Sequence, residues 1–236
     1  MTDLRFWFDP VCPFAWMTSR WVRTVAAQRS YEVEWRFISL RLLNAHIDYD
    51  THFPVGYEAG HTAGLRLLRV AARTREEHGG QAVGRLYEAL GAGVFDVPPD
   101  SAPVPERFDT LVQTALTRAG LPSGLAAAES DTGWDGQLQA ETDEALALTG
   151  KDVGTPILQV DPPDGLAFFG PVISRLPGEQ EAGELWDHVL GLARFPGFAE
   201  LKRSLRELPQ LQSLGVPADE PGVQEDWHAG SRRQQR

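Results

Sequence analysis

The chain has a single cysteine, Cys12, in 236 residues. That count excludes an internal disulfide and any cysteine-rich metal centre. It is nearly without lysine, so the basic charge is carried almost entirely by arginines scattered along the sequence. With a formal net charge of −11 and no basic patch, nucleic acid and anionic membrane surfaces are expected to be repelled. There is no apolar run of signal-peptide or membrane-spanning length, which predicts a soluble cytoplasmic protein. No two histidines stand at i, i+4, so no zinc ligand set is recognisable and no metal is expected. Gly-x-Ser-x-Gly and the phosphate loop are missing too. Gly91-Ala92-Gly93 lacks the third glycine of a dinucleotide fingerprint and follows a helical stretch, which excludes that reading.

What is present concentrates at the N-terminus. Leu4, Phe6 and Phe8 alternate on one face of a first strand, which puts Trp7 on the other face and in the core. Phe14, Met17, Trp21 and Val25 then form an apolar stripe at helical spacing. Tyr31, Val33, Trp35 and Phe37 alternate again in a second strand. A strand, helix and strand this compact predict a βαβ unit with parallel strands. Cys12 falls at the handover from strand to helix. Pro13 suits the first helical position, so Cys12 becomes the N-cap, with unpaired amides and the positive end of the helix dipole at its sulfur. Those groups favour thiolate over thiol and mark Cys12 as the candidate nucleophile, against the alternative of a small buried hydrophobe.

From about Leu42 to Gly150 the strand pattern is lost. Four helices are predicted, through His61–Ala72, Leu86–Leu90, Phe108–Leu116 and Leu138–Leu146, separated at Gly79-Gly80, Pro98-Pro99 and Gly120-Leu121-Pro122. Strand character returns with Ile157, Leu158 and Val160, and Asp161–Gly165 turns the chain into Leu166, Phe168 and Phe169 as a hairpin. A helix around Leu185–Leu192 follows, then a shorter one including Phe198, Leu201 and Leu205. The Pro, Gln, Gly and charge content after Glu207 predicts a poorly ordered tail, 207–236.

A βαβ half carrying Cys-Pro, a helical insertion and a ββα half opening on Gly154-Thr155-Pro156 resemble the thioredoxin fold in its DsbA-like arrangement. The expected class is therefore α/β, with residues 1–41 and 151–206 forming the thioredoxin fold and 42–150 a large all-helical insertion. Phe6-Trp7-Phe8-Asp9-Pro10, Trp16–Trp21, Asp152–Pro156 and Phe168–Val172 further resemble the actinobacterial DsbA-like family that includes the mycothiol-dependent nitroreductase. That resemblance implies a cytoplasmic dithiol enzyme, often dimeric, drawing electrons from mycothiol or a similar low-molecular-weight thiol. It also implies a cis Thr155-Pro156 bond facing Cys12, whose Thr155 N–H and C=O could pair with a peptide-like thiol as a short strand would.

One departure is decisive for mechanism. Redox members of the family carry Cys-Pro-Trp-Cys, whereas this chain reads Cys12-Pro13-Phe14-Ala15. With no resolving thiol, any redox cycle must be monothiol, with an external thiol releasing the Cys12 adduct. The same loss suits a thiol-dependent isomerase or S-transferase, in which reversible addition to a conjugated small molecule needs no second cysteine. A noncatalytic binding domain is the third reading. Phe14 and Trp16 are candidates to stack on an aromatic or conjugated substrate. Asp9 either orients the cysteine loop or holds a proton near the sulfur. Ser174 and Arg175, placed at a helix start, are candidates for a small thiol's carboxylate or, for Ser174, a simple cap. His61, on the middle helices, is a candidate general base against a structural role.

Overall fold

The structure is a computed structural model that describes residues 2–150, 152–201, 205–217 and 224–226. Strand β1 (Leu4–Phe8) leads through the Asp9–Cys12 loop into helix α1 (Pro13–Arg29) and strand β2 (Val33–Phe37). Short helices α2 (Leu40–Leu43) and α3 (Tyr49–His52) open the insertion. Its body is α4 (Tyr57–His78), α5 (Gly80–Phe95), α6 (Phe108–Arg118) and α7 (Asp135–Thr149). Strands β3 (Ile157–Val160) and β4 (Ala167–Phe169) and helix α8 (Glu179–Ala193) complete the second half. The sheet order is β2-β1-β3-β4, with β1 parallel to β2 and antiparallel to β3, and β3 antiparallel to β4.

Side-chain alternation along β1 assigns its two faces. Leu4, Phe6 and Phe8 enter the main core with α1, α4 and α5, while Trp7, fully buried, joins Ile38, Ala145 and Ile157 on the other side. Helix α8 lies on α1 through Trp21, whose indole N–H donates to the Ala182 carbonyl at 3.0 Å and whose ring meets Trp186 edge-on at 5.6 Å. A buried ionic group ties the insertion to the sheet. Glu141 of α7 takes Arg75 of α4 and Arg36 of β2, and accepts the Phe37 N–H at 3.1 Å.

Three expectations are corrected. Residues 194–200 form turns and extended chain rather than a helix, because Phe195-Pro196-Gly197 interrupts it, and Leu205 lies in strand β5 (Leu205–Glu207), paired with β6 (Gln224–Asp226). Residues 207–217, assigned to the tail, pack instead: Leu211 is 1% exposed and Val216 6%. The rest of that tail, apart from 224–226, lies outside the described residues. Ser174 does not begin a helix; Pro177-Gly178 delays α8 to Glu179.

Candidate active site

The strand-to-helix handover is built as the local chemistry requires. Pro13 occupies the first helical position of α1 and Cys12 is its N-cap, with Sγ accepting from the Ala15 N–H at 3.4 Å. From across the sheet, the Thr155 carbonyl accepts from the Cys12 thiol at 3.4 Å, while the Thr155 hydroxyl donates to the Trp7 carbonyl at 3.0 Å. Thr155-Pro156 is cis. Pro13 and Phe14, which follow the cysteine, and Gly154 are half-buried, and Pro156 is buried.

Burial reverses the expected state of the thiol. Helix-terminus effects amount to about 2 kcal/mol at best, while full burial can move an ionisable group by several pH units. Cys12 is only 7% exposed, and desolvation pushes its thiol up to about 12 despite the Ala15 and Phe14 amides, with the Asp9 charge adding to the rise. Burial thus favours the thiol over the thiolate, in the direction opposite to that expected from the N-cap motif alone.

Asp9 is fully enclosed. Its Oδ1 accepts from the Val11 N–H at 3.0 Å and its Oδ2 from the Leu40 N–H at 2.8 Å, so the carboxyl joins the cysteine loop to the start of the insertion. Burial outweighs these two bonds and raises its pKa to about 7. Helix α4 closes over it at Gly64, where a Cβ would stand 2.6 Å from Oδ1 of Asp9 and 2.8 Å from Cγ2 of Val11.

The other candidates fare differently. Trp16 is 3% exposed and packs between Tyr87 and Phe95, with ring centroids at 5.9 and 6.5 Å, so it is core rather than a stacking surface. Ser174 and Arg175 both engage Glu207, at 3.4 and 2.9 Å, which removes them as a carboxylate site. His61 is held by the Tyr49 hydroxyl at 2.9 Å among the rings of Tyr49, Phe53 and Tyr57, and burial with the Arg41 charge pushes its pKa down to about 4. Its ring is neutral and committed to Tyr49, and it is too weak a base for the role considered.

The sequence assigns Tyr87 only to a helix and Gly91 only to a dismissed dinucleotide fingerprint, and gives Gly64 no role. Tyr87 of α5 is buried, stacks on Phe8 with centroids 3.7 Å apart, and lies within electrostatic reach of both Cys12 and Asp9. The available signal was isolated glycine inside helical periodicity, which commonly marks close packing.

The fold is the DsbA-like arrangement of the thioredoxin fold, with Cys12-Pro13 at the start of α1 and the cis Thr155-Pro156 bond beside it. The profile of the Rv2466c-like family, described as mycothiol-dependent nitroreductase Rv2466c, matches residues 11–203, and the chain belongs to that family. Uncharacterized protein Rv2286c of Mycobacterium tuberculosis is 32% identical over 207 residues, spanning 86% of this chain and 82% of that protein. The fold is also that of the cytosolic disulfide reductase DsbM from Pseudomonas aeruginosa, with a TM-score of 0.51 at 14% identity over 80% of this chain and 99% of that one. Among the described residues no helix is long and apolar enough to cross a membrane, and no cluster of potential metal ligands occurs.

Proposed function

We propose that the protein is a single-cysteine thiol oxidoreductase whose co-substrate is a small thiol of the mycothiol type. The observation that carries the reading is Cys12 itself, held between the Ala15 N–H and the Thr155 carbonyl with alanine where a resolving thiol would stand. The residues fit an uncharged, peptide-like thiol: a backbone carbonyl already faces the sulfur, and Val11, Pro13 and Phe14 are half-exposed beside it.

In the cycle, Cys12 loses its proton and its sulfur attacks one sulfur of a bound disulfide. The new S–S bond forms as the old one breaks, and the expelled thiolate takes up a proton. With no second cysteine, the Cys12 mixed disulfide persists until an external thiol attacks it, leaving as a disulfide and returning Cys12 to its reduced form. The helix N-terminus favours the transient sulfur anion.

Intact-mass measurement after exposure to oxidised mycothiol tests this. One adduct is expected, absent in Cys12→Ser and removed by reduced mycothiol; a wild-type protein that forms no adduct overturns the reading. The lack of a second thiol favours one alternative, reversible addition of Cys12 or the bound thiol to a conjugated alkene with expulsion after bond rotation. Product formed without consumption of reducing equivalents would select it.

A further inference from the structure

We infer that Asp9 makes the Cys12 site select uncharged thiols, disulfides and electrophiles over anionic ones. The inference rests on Cys12 being the reacting group and adds the class of partner it accepts. Asp9 and Cys12 share one buried loop, and the only bonds to the Asp9 carboxyl are backbone amides, from Val11 and Leu40, among the described residues. No arginine, lysine or histidine is among the groups that set the ionisation of either Asp9 or Cys12. In a water-poor site a lone carboxylate is felt strongly by an incoming anion, and like-charge juxtaposition is a standard means of rejecting a wrong partner.

The surroundings leave this charge uncompensated. Of the titratable groups that face it, Cys12, Tyr49 and Tyr87 are neutral at pH 7, and each is pushed up in part by Asp9 itself. On α2, Arg41 is turned to Glu58 at 3.1 Å and over the Tyr49 ring, and on α4, His61 is neutral and held by Tyr49. Arg175, the cation suited by sequence to a carboxylate, is paired with Glu207. The amides at the start of α1 do favour an anion at Sγ. They are unchanged by substitution at Asp9, which lets the two influences be separated.

The test uses three methanethiosulfonates on the full chain, with methyl, 2-sulfonatoethyl and 2-(trimethylammonio)ethyl groups. In each, the Cys12 thiolate attacks the sulfenyl sulfur, forms a disulfide and expels methanesulfinate. The free thiol N-acetylcysteinamide supplies the reference ratios. At pH 8.5 the sulfonatoethyl reagent should react at least tenfold more slowly with Cys12, relative to the trimethylammonioethyl reagent of similar size, than those reference ratios allow. The excess should shrink toward the reference at pH 5.5 in the wild-type protein, and disappear at pH 8.5 in Asp9→Asn. Reference ratios in the wild-type protein at pH 8.5, or an undiminished excess at pH 5.5, overturn the inference, and the pH pair decides it if the variant fails to fold. Absence of reaction with all three reagents would instead remove Cys12 as the reacting group, and the proposed function with it.

Discussion

Gly91 lies against the indole of Trp16 so closely that a Cβ at position 91 would stand 2.2 Å from the ring. The contact joins α5 of the insertion to the helix that begins at Cys12, and the ring is hemmed by Tyr87 and Phe95. Gly91→Ala should therefore destabilise the fold, by ~1–3 kcal/mol for overpacking in an unyielding core. Gly60, on α4, has open space around its Cβ position. Gly60→Ala should stabilise by ~0.5–1 kcal/mol through helix propensity. Urea denaturation of the pair checks both signs, and equal effects would show that the close approach is not sustained in solution.

Alkylation of Cys12 by iodoacetamide should accelerate nearly tenfold per pH unit from pH 7 to 10. Its thiol is pushed up to about 12, so the thiolate fraction has no plateau in that window. A rate that levels off below pH 8 would show that the helix terminus wins over burial after all.

The buried Asp9 carboxyl should make stability depend on pH in the direction opposite to a salt-bridged aspartate. The unfolded chain loses this proton near 3.8 and the folded chain near 7, so between those values only the folded state keeps it. The contribution is complete below about 4 and is lost as the pH rises to about 7, at roughly 1.4 kcal/mol per pH unit and as much as ~4 kcal/mol in all. Denaturation midpoints measured from pH 4 to 8 should fall more steeply in the wild-type protein than in Asp9→Asn. Parallel profiles would refute the assignment.

Glu141 holds two arginines and a strand amide at 5% exposure, so Glu141→Gln should cost ~3 kcal/mol by leaving the Arg75 guanidinium without its anion, while Arg36 keeps Glu34 and Glu144. The exposed Arg175 pair with Glu207 is the comparison. Arg175→Ala should cost no more than ~1 kcal/mol. Chemical denaturation of the two variants measures the difference directly.

Much of this architecture is written locally. The period-two run of Leu4, Phe6 and Phe8, the stripe through Met17, Trp21 and Val25, and Pro13 after Cys12 each specify an element without help from distant residues. Gly79-Gly80 likewise separates α4 from α5 where expected. The misreadings arise where tertiary contacts decide. Residues around Leu211 look like tail by composition, yet Leu211 and Val216 find apolar surface to cover. At the site, the N-cap was legible, but the ionisation of its sulfur was not. That depends on enclosure by an insertion whose approach at Gly64, against Asp9, joins residues far apart in sequence. The pairing of Ser174 and Arg175 with Glu207 is another such long-range event.

The bond from the Cys12 thiol to the Thr155 carbonyl bears on how a lone cysteine survives in service. Peroxides oxidise thiolates, and a sulfenic acid with no neighbouring thiol to condense with can proceed to the irreversible sulfinic and sulfonic acids. A two-cysteine site escapes by closing its own disulfide. Here enclosure takes the place of that escape: at 7% exposure and with its pKa pushed up by burial, the sulfur of the chain's single cysteine is disfavoured as the thiolate that peroxides oxidise, and the proposed cycle would expose it to that chemistry only while a partner thiol is bound.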